Sequence, residues 1–82
     1  MAVMSVFLPE IADVAEFVNI MSQFPYEAQL HVGSYSVDAK SIMGIFTLDR
    51  EQPLQLELRT NNEAALNQLS AGLGRFLYKP VH

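Results

Sequence analysis

V-D-A-K-S-I-M-G-I-F-T-L, residues 37–48, decides how this chain is read. The stretch opens on the end of an alternating pattern, with Val37 and Ala39 apolar on either side of Asp38, and then changes period. Ser41 stands where a helix N-cap belongs, its hydroxyl able to accept a backbone N–H two or three residues on. The run Ile42, Met43, Ile45, Phe46 and Leu48 is too short for a full helix and predicts one or two turns. So short an element cannot bury every apolar side chain it carries. Ile45 and Leu48 are expected in the core, with Met43 and Phe46 partly exposed.

Upstream, AQLHV and YSVDA flank Gly33-Ser34, a two-residue loop with glycine first, as a type II′ hairpin requires. Counting back from that turn pairs Val32 with Tyr35, Leu30 with Val37 and Ala28 with Ala39 on one apolar face. Gln29, His31, Ser36 and Asp38 then share the other face, as in a sheet covered on one side and wet on the other. Downstream, LQLELR at 54–59 alternates the same way, with Leu54, Leu56 and Leu58 inward.

Residues 2–7 predict a further short strand on Val3, Val6 and Phe7; if Val3 faces inward, Met4 and Val6 form an apolar outer side. Leu8-Pro9-Glu10 predicts a helix start, with proline in the first turn and early carboxylates at the positive dipole end. Ile11, Val14, Ala15, Val18 and Met21 recur at helical spacing, widened by Phe17, Ile20 and Phe24, and Pro25 should end the helix near Phe24. A last helix, capped by Asn61 or Asn62, should bury Ala65, Leu66, Leu69 and Leu73 before Gly72 and Gly74 weaken its end. The order strand, helix, strand, strand, short helix, strand, helix predicts an α+β domain with a covered sheet.

The 82 residues are expected to form a single domain, 1–82, and a composition half hydrophobic and 17% charged is that of a globular chain. Cysteine is absent, which excludes disulfides and thiolate chemistry. His31 and His82 lie too far apart to form a helical metal-ligand pair, so neither a metal nor another cofactor is expected. His31 reads as an ordinary polar strand residue. The N-terminal apolar run is too short for a membrane span and lacks a basic leader, so a cytoplasmic protein without membrane contact is expected. The first cation in the chain is Lys40, preceded by Glu10, Asp13, Glu16, Glu27 and Asp38, and the cations that exist are scattered. Nucleic-acid binding, which needs clustered cations, is not expected.

The run Lys40-Ser41-Ile42-Met43-Gly44-Ile45-Phe46-Thr47-Leu48 resembles the regulatory-serine segment of HPr, the histidine-containing phosphocarrier family of the bacterial sugar phosphotransferase system. The order of elements agrees with that family from about Val3 to Phe76. The resemblance implies an HPr-like open-faced sandwich: a four-stranded antiparallel sheet covered on one face by three helices, two long and one short. It also implies a phosphocarrier rather than an enzyme. In the family a motif Gly-x-His-Ala-Arg-Pro-Ala opens the first helix, and its histidine takes phosphate from phosphoenolpyruvate by way of enzyme I.

Counting back without a gap from Lys40-Ser41 lays that motif on Leu8 to Val14, with Glu10 at the histidine position, Ala12 at the arginine and Asp13 at the proline. No catalytic residue is therefore expected, in the manner of the Crh branch of the family, which replaces the histidine and keeps the serine. Glu10 and Asp13 are further expected to repel an incoming phosphate with no cation to offset them. The resemblance makes Ser41 a regulatory phosphorylation site for a serine kinase, beside its role as a cap. It makes Lys40, Ile42, Met43 and Phe46 a docking patch for protein partners: phosphotransferase-system proteins or a transcriptional regulator. Ala12 counts against the regulator, which in the family also reads the arginine. A monomer or weak homodimer is expected. The leading reading is a regulatory or interaction module; the alternatives are a working phosphocarrier with an unrecognised acceptor and a repurposed domain unrelated to sugar transport.

Overall fold

The computed structural model describes residues 1–78; His82 lies outside them. Four strands and three helices follow one another as β1 (Ala2–Val6), α1 (Ile11–Met21), β2 (Ala28–Val32), β3 (Tyr35–Asp38), α2 (Ile42–Phe46), β4 (Leu54–Leu58) and α3 (Glu63–Gly72). A 3-10 turn at Gly74–Phe76 follows. The strands form one antiparallel sheet in the order β1-β4-β2-β3, and the helices cover one of its faces. This is the open-faced α+β sandwich that the sequence predicts. No helix among the described residues is long and apolar enough to cross a membrane.

The hairpin register is the one counted from the turn, with Val32 opposite Tyr35 and Leu30 opposite Val37, and Ala39 N–H donating to Ala28 at 3.0 Å. Gly33 takes φ +58°, which a first-position II′ residue needs and which costs a glycine nothing. Ala28, Leu30 and Val32 are buried with Leu54, Leu56 and Leu58 of β4, the strand at the middle of the core face. Tyr35 shares their side of the sheet yet is 73% exposed, because β3 is an edge strand with nothing laid over its tip.

Strand β1 settles the orientation of Val3. Val6 is buried and Met4 half-buried, so Val3, of opposite parity, faces outward at 62% exposure. The outer side of β1 is thus Val3 and Ser5, not Met4 and Val6, and Ser5 bonds Gln55 directly across from it on β4. The free edge of β1 is partly closed by the segment after the 3-10 turn: Phe7 N–H donates to Phe76 and Tyr78 N–H donates to Ser5, each at 2.8 Å.

Helix α1 is shorter at both ends than expected. Glu10 is extended and serves as N-cap, so Pro9 precedes the helix instead of sitting in its first turn. Asp13 Oδ2 accepts the Glu10 N–H at 3.2 Å, which ties off one donor at the entrance. At the other end the helix stops at Met21. Ser22 bonds back to Val18 through both its N–H and its hydroxyl, and tighter bonds from Gln23 to Ile20 and from Phe24 to Met21 close the turn. Pro25 disfavours helical geometry at Phe24, and Phe24 instead packs into the core outside the helix. Val14, Phe17 and Met21 form the buried stripe, with Phe17 edge-on to Phe76.

In α3, Asn62 is the cap, its Oδ1 accepting from Ala65 N–H at 3.1 Å. Leu69 and Leu73 are buried as expected, while Ala65 and Leu66 are only half-buried at the rim of the core.

Candidate functional site

Ser41 is extended and caps α2, its Oγ accepting from Gly44 N–H at 3.1 Å. The cap leaves the hydroxyl hydrogen uncommitted. Gly44 suits the same geometry: a Cβ there would stand 3.1 Å from Ser41 Oγ and 3.2 Å from Val37 Cβ, so a side chain would need its neighbours to give by a few tenths of an ångström. Ile45 and Leu48 hold the short helix to the core, and this anchoring decides what faces out. Met43 is 72% exposed, Ile42 is exposed and Phe46 is half-buried. An unfilled apolar surface on a helix fixed from below is suited to contact with another protein.

Lys40 does not reach over this surface. Its Nζ donates to the Phe24 carbonyl at 2.6 Å, satisfying an acceptor just past the end of α1 and joining that end to the start of α2. A basic side chain adjacent to Ser41 in sequence is therefore already engaged elsewhere.

Glu10 is exposed at the N-cap of α1, and Ala12 is exposed in its first turn. The expectation of an acidic entrance with no cation near it is corrected by two arginines, although Glu10 itself forms no ion pair among the described residues. Arg75 pairs with Asp13 at 3.2 Å and with Glu16, and its pKa is raised further, first by the hydrogen bond to Glu16, so it stays charged. Arg50 Nη1 donates to the carbonyls of Leu8 and Pro9 at 3.2 and 3.1 Å, while its guanidinium lies 5.4 Å from the centre of the Phe46 ring. One side chain thereby fastens the segment before α1 to the end of α2. Neither arginine lies near α1 in sequence, and no local pattern signals them. The loop between α2 and β4 and the turn after α3 deliver them, so only the three-dimensional arrangement reveals the balance.

His31 sits on the outer sheet face with its Nε2 3.5 Å from Glu57 Oε2, while Arg59 Nε approaches the other Glu57 oxygen at 3.3 Å. It is remote from α2 in the sense that matters: the sheet separates its side chain from all three helices. No group of acidic and histidine side chains suited to a metal occurs among the described residues.

An antiparallel sheet roofed on one side by helices, with a capped apolar short helix left open, defines a small α+β protein. The family model described as PTS HPr component phosphorylation site matches residues 12–74, a span that contains Ser41 and all of α2 and begins just beyond Glu10. The chain belongs to the HPr family, the phosphocarriers of the phosphotransferase system. No curated protein matches the sequence. Among solved structures, HPr-C-His of Thermoanaerobacter tengcongensis is similar at 24% identity and TM-score 0.71, over 90% of this chain and 92% of that one. Crh, the catabolite repression containing protein of Bacillus subtilis, whose structure is a domain-swapped dimer, is similar at 23% identity and TM-score 0.63, over 93% and 88%. The phosphocarrier protein HPr of Bacillus anthracis is similar at 27% identity and TM-score 0.57, over 89% and 99%.

Proposed function

We propose that this HPr-family protein is a regulatory or protein-interaction module that carries no phosphate on a histidine at the α1 entrance. The observation that carries the reading is the pairing of two neighbouring surfaces. The α1 N-cap, the place that the gapless count assigns to the family's acceptor, is Glu10. Beside it α2 presents Ile42, Met43 and Phe46 around a capped Ser41. Arg75 offsets Asp13 and Glu16 but not Glu10, so charge repulsion is weaker than the sequence implies and the argument rests chiefly on the residue type at the cap. A carboxylate could accept phosphate only as an acyl phosphate, which ordinarily needs a metal and a lysine beside it. Lys40 is held at Phe24.

Ser41 is the modification site in this reading. Ser41 is half-buried at the edge of the apolar surface, and phosphate there would add roughly −1.5 to −2 charges to that surface. The docking patch is Ile42, Met43 and Phe46, with Lys40 as its structural neighbour, and the partners are cytoplasmic proteins of the phosphotransferase system or its regulators.

Two incubations followed by mass spectrometry test the proposal. Enzyme I with phosphoenolpyruvate should leave the protein unlabelled; stable label on any residue would restore the phosphocarrier reading and identify its acceptor. The family's serine kinase with ATP should add one phosphate, and Ser41→Ala should prevent it. An unmodified wild-type protein removes regulation through Ser41.

A further inference from the structure

Ile11 in the first turn of α1 is 68% exposed, comparable to Met43 on α2. The Arg50 tether holds the segment before α1 against Phe46 at the end of α2, so these apolar groups belong to one side of the molecule. The charge on that side is net negative, three acids against Arg50. Glu10 precedes Ile11, and Asp49 and Glu51 flank Arg50; all three acids are exposed, and none forms an ion pair among the described residues. The described cations are spent within the molecule: Lys40 on Phe24, Arg50 on Leu8 and Pro9, Arg59 on Glu57, and Arg75 on Asp13 and Glu16. Arg50 keeps its charge, but its guanidinium faces the carbonyls and the Phe46 ring.

We infer that the partner of this face is a protein surface with an apolar anchor inside a rim of lysine and arginine. The inference rests on the docking reading above and adds its chemistry. Burying an apolar centre supplies contact, while rim charges steer the encounter and reject partners of like sign. An acidic partner would place its carboxylates against Glu10, Asp49 and Glu51. A polyphosphate such as nucleic acid would meet the same repulsion.

The test uses 15N-labelled protein and two synthetic amphipathic helical peptides with the same leucine and phenylalanine face, one flanked by lysine and arginine, the other by glutamate. The basic peptide should shift the amides of Ile11, Ile42, Met43 and Gly44. Its affinity should fall about fivefold or more as salt rises from roughly 20 to roughly 500 mM, since rim charges are screened within a Debye length. The triple variant Glu10→Gln/Asp49→Asn/Glu51→Gln should weaken it by a similar factor, and the glutamate peptide should not bind. If both peptides bind equally and Met43→Ser abolishes both, the apolar surface stands and the basic-rim inference falls. If neither binds, or the shifts map elsewhere, the docking reading falls with it.

Discussion

Arg75 Nη1 stands 3.2 Å from Asp13 Oδ1 across 62 positions of sequence. The same guanidinium reaches Glu16 and lies 4.1 Å from the centre of the Phe76 ring, which itself packs on Phe17. The acid stripe of α1 is in this way joined to the turn that follows α3. Surface pairs of this kind contribute little, because solvent screens them and ordering two long side chains opposes them.

Replacing Arg75 with alanine should accordingly lower the melting temperature by no more than a few degrees, and by less in high salt. Thermal melts at two salt concentrations check this. A variant that fails to fold would mean that Arg75 matters through its packing on Phe76.

Loss of the α2 cap has a larger expected effect for its size. Ser41→Ala should destabilise the protein by about 1 kcal/mol, whereas Ser41→Asp, which can also cap, should be close to neutral. Urea unfolding of both variants decides it; equal losses would show that the bond from Gly44 N–H is not what holds the turn.

Gly44→Ala sets two effects against each other. Alanine favours helix by about 1 kcal/mol over glycine. Against that, a Cβ 3.2 Å from Val37 Cβ must push α2 away from β3, and overpacking commonly costs roughly 1–3 kcal/mol. The net expectation is destabilisation of about 1 kcal/mol by urea unfolding; a stabilised variant would show that the contact between α2 and β3 yields easily.

Leu56 and Met43 make a contrast within one protein. Leu56 is fully buried at the middle of the sheet, and Leu56→Ala should remove about 2–5 kcal/mol, a large part of what holds so small a fold. Met43→Ala should change stability by less than about 0.5 kcal/mol, because its side chain has little to lose on the solvent side. Calorimetry on the pair checks the assignment; a costly Met43→Ala would make that residue part of the core and remove it from the docking surface.

What the sequence determined by itself was local. The II′ turn at Gly33 set the hairpin register, period-two alternation placed Leu54, Leu56 and Leu58 inward, and Ser41 marked the start of α2. These succeed because turn geometry, pleat parity and capping each act over a few bonded residues. The shortness of α2 also pointed to the exposed Met43, with Ile45 and Leu48 as the core anchors. Tertiary structure decided the rest. Val3 faces outward because β1 is registered by β4, and α1 stops at Met21 with Phe24 packed into the core beyond it. The charge balance at α1 and the tether between α1 and α2 come from Arg75 and Arg50, which chain order keeps far away. Coulomb and hydrogen-bond energies depend on distance in space, and only the folded sheet brings those groups together.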